Sequence, residues 1–359
     1  MSGQKVIRAR TPVRIDFSGG WTDVALFTKE SKGFVVNATI NIYSYVTIKK
    51  LPDKEVFKQS YGYNHKEKVE SKNISIYSAD FDIYEEAEEV KQLEYNGNID
   101  LAKAAIKHLG ISGGLEVITR SNAPAGSGLG TSASMGVALI GALSAFTGLT
   151  SLPYEIAEKA SLIERQELNI LGGKQDHYAS ALGGINFMEF MGEDVKVSKI
   201  QVSNDIIFEL EKNLVLCYTG KSRLSGDIHA KVKEAYEKKD PKTMQALRNL
   251  RAIASEMKYI LLKEDLTNFG KLLSDNWENQ KALHPSVTNP QIDAMFESVM
   301  ESGSLGGKAC GAGGGGCLLF YAKPDCEHLV RKCLEMTDAS IIDFNFDYNG
   351  LQTWTIKEV

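Results

Sequence analysis

Apolar and polar positions alternate over Val13, Ile15 and Phe17, with Arg14 and Asp16 between them. That period of two predicts a strand. Residues 34–50, rich in β-branched and aromatic side chains, predict one or two more strands. Apolar residues at helical spacing predict a helix over 99–109, and short strands are expected at 115–119 and 185–190. The segment 132–146 is apolar nearly all round, which predicts a buried helix. Ser151 and Pro153 are helix-start residues, and Leu152, Ile156, Ala160 and Ile163 would share one face of the helix that follows. Gly183-Gly184 breaks the chain before the strand at 185–190.

The second half changes character. Beyond a strand at 214–218, helical periodicity fills 224–238, 242–262 and 266–283. A glycine-rich stretch, 303–316, leads into a strand at 317–321, a helix over 327–336 and terminal strands near 339–347 and 353–356. This order predicts an α+β fold of two domains, 1–200 and 201–359, with the boundary within 192–206 and a cleft between them.

Composition narrows the functional classes. The 359 residues are 43% hydrophobic and 24% charged, which is ordinary for a globular chain able to bury a sizeable core. A net charge of -5 without a basic stripe argues against nucleic acid as a partner. The mixed run Lys66, Glu67, Lys68 and Glu70 is expected to be a solvated surface. Five cysteines, an odd number without a C-x-x-C pair, predict reduced and mostly buried thiols rather than disulfides or a zinc site. Residues 1–14 carry charge and no apolar run, and the apolar stretch 133–146 is too short to span a bilayer. The expectation is a cytoplasmic protein with no membrane partner.

Candidate chemistry lies in four segments. The strongest is Pro124-Ala125-Gly126-Ser127-Gly128-Leu129-Gly130-Thr131-Ser132, a glycine loop opening into the buried helix. Loop amides and the positive end of a helix favour a bound phosphate, and the Thr131 and Ser132 hydroxyls can bond phosphate or reach a magnesium ion. A tight turn before a core helix would look similar. It is not a Walker loop, because Gly307-Lys308 is followed by Ala309, and a dinucleotide fingerprint lacks its surrounding pattern. A second segment, 308–316, places five glycines close together ahead of a strand, which suggests backbone pressed against a ligand or another loop. In the third, a strand delivers Arg14, then Gly19-Gly20 presents Trp21 and Asp23. An arginine can hold phosphate or carboxylate, and an aspartate can accept sugar hydroxyls. In the fourth, Glu164 could hold magnesium and Asp176 could orient or deprotonate a hydroxyl nucleophile, with His177 as a rival base.

In order along the chain, Pro12 to Asp23, Pro124 to Ser134 and Lys308 to Gly316 resemble the three motifs of the GHMP kinases, named for galactokinase, homoserine kinase, mevalonate kinase and phosphomevalonate kinase. The resemblance implies an N-terminal domain like the second domain of ribosomal protein S5 and a ferredoxin-like C-terminal domain. It implies ATP and Mg2+ as cofactors, with Pro124, Gly126, Ser127, Gly128, Leu129, Gly130, Thr131 and Ser132 around the ATP phosphates. Ser132 and Glu164 match the family's magnesium ligands, Asp176 its catalytic aspartate, and Arg14 the basic residue beside it. The loop 311–316, with Gly313 and Gly314, would steady the phosphate loop and line the acceptor site.

Within the family, Gly172-Gly173-Lys174-Gln175-Asp176 and Tyr218-Thr219-Gly220 with Ser222-Arg223 are similar to the branch that phosphorylates heptose 7-phosphate at its anomeric hydroxyl. That likeness implies a small-molecule sugar or sugar-phosphate partner touched by Trp21, Asp23, Gly173, Lys174, Tyr218 and Arg223. Lys174 and Arg223 are the cations expected to take a phosphate already on the sugar. Trp21 departs from the branch, which usually has glycine there. Gly19-Gly20-Trp21 resembles the L-fucose kinases instead, so a free-sugar kinase is the alternative. A non-catalytic sugar sensor on the same fold is an alternative of another class.

Overall fold

The computed structural model describes residues 4–52, 54–60, 63–69, 71–220 and 225–358. Its strands are β1 (Gln4–Ser18), β2 (Gly33–Lys50), β3 (Lys54–Ser60), β4 (Tyr63–Val69), β5 (Ile74–Ser78), β6 (Ile83–Ala87) and β7 (Leu115–Ser121). They continue with β8 (Ile185–Met191), β9 (Asp194–Lys199), β10 (Leu214–Tyr218), β11 (Ser304–Ala309), β12 (Cys317–Ala322), β13 (Ser340–Ile342) and β14 (Gln352–Glu358). The helices are α1 (Ala25–Thr28), α2 (Asp100–His108), α3 (Thr131–Thr147), α4 (Pro153–Leu162), α5 (Gln175–Leu182) and α6 (Asn204–Asn213). In the second half come α7 (Ser225–Glu237), α8 (Pro241–Leu262), α9 (Leu266–Leu283), α10 (Pro290–Glu301) and α11 (Glu327–Glu335).

The large sheet runs β14-β1-β2-β7-β5-β6, and β8 pairs with β2 and carries β9. β2 is one continuous strand. Its last residues pair with β7 and its first with β8, so it serves two neighbours along its length. The β1–β2 register shifts at Pro12/Val13, where proline removes a ladder donor. A smaller antiparallel sheet has the order β11-β12-β10-β13. The expected boundary falls in the link between β9 and α6, and the last strand, β14, returns to the large sheet beside β1.

Alternation along β1 and β2 divides the interior. Ile7, Val35, Val46 and Ile48 face a core shared with α2 to α5. Val13, Ile15, Phe17, Val36 and Ile40 face a second core, closed by α6, α8, α9 and the small sheet. The second half thus packs directly on the large sheet and aligns the two glycine loops. α3 is buried over most of its length because apolar residues such as Val137, Leu139, Ile140 and Leu143 fall on more than one face. A Cβ at Gly141 would lie 2.8 Å from a Leu351 methyl, so glycine here leaves room for that side chain. Thr11 Oγ1 donates to the Ser134 carbonyl at 2.7 Å and fixes the start of α3 against β1.

The expected glycine loop over 303–316 contains β11. A Cβ at Gly306 would meet the Gly270 carbonyl at 1.8 Å, so this glycine lets α9 sit against a strand rather than loosening a loop. All five cysteines are free, and all but Cys326 are buried. No helix among the described residues is long and apolar enough to cross a membrane.

Candidate active site

β1 carries Arg14 and Asp16 on the face opposite Ile15 and Phe17. The buried Arg14 guanidinium donates from Nε and Nη2 to the two Asp176 carboxylate oxygens at 2.7 and 2.8 Å. Its Nη1 donates to the Gly128 carbonyl at 2.6 Å. One side chain therefore ties the first strand, the glycine loop and the start of α5. Burial works against the arginine's charge, but Asp176 and Asp16 outweigh it and raise its pKa. Asp16 pairs with the fully buried Lys308 of β11 at 3.2 Å, and Lys308 Nζ also donates to the Asp16 carbonyl at 2.8 Å. That ion pair ties β11 to β1.

The glycine loop bends through left-handed φ at Gly126, Gly128 and Gly130. It delivers α3 with no side-chain cap, which leaves first-turn amides for an anion. The second glycine loop braces it: Cys317 N donates to Ser127 O at 2.7 Å, and a Cβ at Gly128 would sit 2.6 Å from the Cys310 carbonyl. Gln280 holds the Gly311 carbonyl at 2.9 Å.

Glu164 lies in a π-helical turn, Ile163–Glu167, that follows α4 directly. One carboxylate oxygen accepts a hydrogen bond from Ser132 Oγ, and the other lies 2.6 Å from His177 Nε2. Burial would raise the Glu164 pKa, but His177, Ser132 and Arg165 hold it below the usual carboxylate range. Ser132 and Glu164 thus offer a hydroxyl and a charged carboxylate at one vertex. Such hard oxygen donors suit a magnesium ion that takes its remaining ligands from phosphates and water. His177 is turned toward Glu164 and is not seated as a base beside Asp176.

The turn Gly19–Val24 closes on itself: Thr22 Oγ1 donates to the Gly19 carbonyl at 2.8 Å and to the Phe34 carbonyl at 2.9 Å. Trp21 is held at a φ of 79°, a conformation that bulky residues rarely adopt. Its ring lies 4.4 Å from the His229 ring of α7. Asp23 accepts from Gln175 N at 3.1 Å and so caps α5. Burial, then the neighbouring Asp176 charge, pushes Asp23 up to about 6. Burial lowers His229 to about 4, against the pull of Asp176.

These groups surround a cavity of about 310 Å³. Of the residues singled out from sequence, Arg14, Trp21, Asp23, Gly126, Ser127, Gly128, Gly130, Thr131, Ser132, Glu164, Gly173 and Asp176 line it. Pro124 and Leu129 form the base of the loop, through Ser127 N to Pro124 O at 3.2 Å and Arg14 N to Leu129 O at 3.0 Å. Lys174, Tyr218, Gly313 and Gly314 do not line this cavity. Lys174 is buried and faces away, its ammonium 2.6 Å from both the carbonyl and the carboxylate of Glu193. Tyr218 ends β10 in the sheet, paired with Cys317 and Ser340. Gly313 and Gly314 turn toward Val287, so Gly311 and Ala312 reach the cavity in their place. Arg223 lies outside the described residues. Asp16, Gln175 and His229 line the cavity without having been expected. Nothing in sequence marks His229, which sits in an ordinary amphipathic helix.

Comparison with known proteins places the chain in a family. The GHMP kinases N terminal domain model matches residues 99–184, and the GHMP kinases C terminal model matches 257–331. The chain is 33% identical to the D-glycero-alpha-D-manno-heptose 7-phosphate kinase of Campylobacter jejuni, over 98% of this chain and all of that protein. It is 28% identical to the L-fucokinase/L-fucose-1-P guanylyltransferase of Bacteroides fragilis, over 92% of this chain but 36% of that protein. Among solved structures, a D-glycero-D-manno-heptose 1-phosphate kinase from Bacteroides thetaiotaomicron superposes with a TM-score of 0.76 at 28% identity, covering 98% of this chain and 100% of the other. Full-length similarity at this level, with both family models in their proper order, means that the chain belongs to the GHMP kinases.

Proposed function

We propose that this kinase phosphorylates the anomeric hydroxyl of a heptose 7-phosphate to give the 1,7-bisphosphate. The observation that carries the reading is the Arg14–Asp176 pair set against the loop that opens into α3, together with the 33% identity to a heptose 7-phosphate kinase. When bound, ATP supplies the phosphoryl group, and a magnesium ion held by Ser132 and Glu164 offsets phosphate charge. Asp176 accepts the proton of the acceptor hydroxyl as that oxygen bonds to phosphorus and the bond to the ADP oxygen breaks. Arg14 fixes the direction of the Asp176 carboxylate. Loop amides of 126–133 hold the phosphates, and Asp23 accepts hydrogen bonds from acceptor hydroxyls. We read residues 1–200 as the unit that binds ATP and 201–359 as the unit that closes over the acceptor, with β14 lent back to the first.

Trp21 supports a second reading, a free-sugar kinase, because a bulky side chain stands where the heptose branch usually has glycine. The test measures kcat/KM over free and phosphorylated sugars by ATP consumption, with the product identified by phosphorus NMR. Heptose 7-phosphate should be turned over most efficiently, giving an anomeric phosphate. Comparable kcat/KM for free fucose or mannose would defeat the heptose-phosphate reading. Sugar binding without ATP turnover would point to a sensor.

A further inference from the structure

A second cavity, of about 320 Å³, opens beside the first. The two share a wall built from Trp21, Ile170, Leu171 and His229. Past that wall, Phe27, Val232 and Leu247 give the second cavity an apolar floor, and Lys29, Lys233, Glu237 and the already paired Arg165 also line it. Lys29 follows α1 and is exposed, with no ion-pair partner among the described residues. Lys233 lies one turn beyond His229 on α7, so both face the same way. It is half exposed and only loosely paired with Glu237, at 3.8 Å. Glu30, the acid next to Lys29, already accepts a hydrogen bond from Tyr236 at 2.9 Å.

The catalytic cavity has no such spare charge. Arg14 is committed to Asp176 and Gly128, while Arg165 is held by Ser161 at 3.0 Å and Glu193 at 3.1 Å. Lys174 is turned away onto Glu193. Asp176 and Asp16 take up Arg14 and Lys308, and the loop amides are the groups read above as holding the ATP phosphates, so among the described residues this cavity keeps no cation for a phosphate on the acceptor. A phosphate at the far end of the acceptor gains most by leaving this cavity for the lysine-bearing one.

We infer that the acceptor spans both cavities, with its anomeric hydroxyl at Asp176, its ring against the wall that Trp21 and His229 form together, and its distal phosphate at Lys29 and Lys233. The inference rests on the reading above that the acceptor is a phosphosugar. An apolar wall of Trp21 suits the carbon-bound hydrogens of a sugar ring. A neutral His229 imidazole offers one donor and one acceptor to its hydroxyls. Two flexible ammonium groups bind phosphate as point charges and tolerate variation in the length of the sugar tail.

The test compares heptose 7-phosphate with the same heptose lacking the phosphate, in wild type, Lys29→Ala, Lys233→Ala and the double variant. The double variant should raise KM for the phosphosugar on the order of tenfold, with smaller effects in each single variant. KM for ATP, and kcat/KM for the unphosphorylated heptose, should stay at wild-type values. An unchanged phosphosugar KM would overturn the inference, as would equal losses for the two acceptors. Failure of the underlying reading shows separately, in the wild type alone, as no preference for the phosphorylated acceptor. Circular dichroism melting should match wild type, since both lysines lie outside the core.

Discussion

Arg14 grips Asp176 with two parallel hydrogen bonds, 2.7 and 2.8 Å long, and spends its third nitrogen on the carbonyl of Gly128. A fork of this kind fixes both the position and the plane of the carboxylate, which a lysine cannot do. Asp176→Asn keeps the shape but loses the proton acceptor. Its kcat should fall roughly 10²–10⁴-fold, with ATP affinity nearly unchanged. Arg14→Lys should give a smaller fall in kcat. Steady-state kinetics with a separate nucleotide-binding measurement decides the matter. A large loss of ATP affinity in Asp176→Asn would move the residue from acceptor chemistry to the nucleotide site.

Glu164 is held on both oxygens, by Ser132 on one side and His177 on the other. A partner that orients a metal-binding carboxylate is typically worth roughly 10–100-fold in metal affinity. Glu164→Gln and Ser132→Ala should each weaken Mn²⁺ binding in the presence of ADP, read by electron paramagnetic resonance without turnover. His177→Gln should weaken it less than Glu164→Gln, and it should leave acceptor KM unchanged. Wild-type Mn²⁺ affinity in both Glu164→Gln and Ser132→Ala would remove the vertex from metal binding.

Lys174 separates a buried structural cation from a substrate contact. Its ammonium is enclosed, yet its partner Glu193 is 58% exposed, so losing the pair leaves that carboxylate to water. Lys174→Ala should cost about 1 kcal/mol of stability, the upper part of the range for a pair with one exposed member. Acceptor KM should stay put. A raised phosphosugar KM with unchanged melting would return Lys174 to the acceptor site.

The long elements were legible because their burial is periodic. β10 and α9 fall at 214–218 and 266–283, as their patterns require. The glycine loop stands out because phosphate chemistry demands unusual residues in a short span, whereas Asp176, found beside it in the cavity, is marked in sequence only by the family resemblance. α10 was missed despite a good start signal: Asn289 caps Ile292 N at 3.0 Å and Pro290 takes the first position. Lys174 misled because a cation two residues before an aspartate reads as functional, whereas the first turn of α5 points the two side chains to different sides. His229 and Lys308 were hidden for a different reason. Each reaches the site only because tertiary packing brings α7 and β11 against β1 and the turn after it, and no local pattern encodes that.

Gly128 and Gly311 meet where the two glycine loops touch. A Cβ at Gly311 would stand 2.8 Å from the Gly128 Cα, and one at Gly128 would stand 2.6 Å from the Cys310 carbonyl. Gly128 also has a φ of 77°. Gly128→Ala therefore combines backbone strain with a clash against backbone, a cost of about 1–3 kcal/mol that must be relieved by moving the loop. Since this loop carries the phosphate-facing amides, ATP Kd should rise at least about tenfold while acceptor binding changes little. Calorimetric titration with ATP and with acceptor measures both. Unchanged ATP binding would show that contact between the loops does not hold the nucleotide site in shape.

Asp23 gives the site a pH signature. Burial and the charge of Asp176 push it up to about 6 from its ordinary 3.8. The folded protein thus favours the neutral acid, so the stability linked to this group is fully present below about pH 3.8. It is lost as pH rises through about 6. The span corresponds to about 3 kcal/mol at most. Asp23→Asn removes the ionisation, so its stability relative to wild type should improve between pH 4 and pH 7 and then level off. Function runs the other way. An ionised Asp23 accepts acceptor hydroxyls, so wild-type acceptor KM should climb below about pH 6 while KM for ATP stays flat. In Asp23→Asn the acceptor KM should be high and independent of pH over that range. Urea midpoints and acceptor KM from pH 4.5 to 8 test both halves. Identical pH profiles for wild type and variant would mean that a different group governs the acid limb.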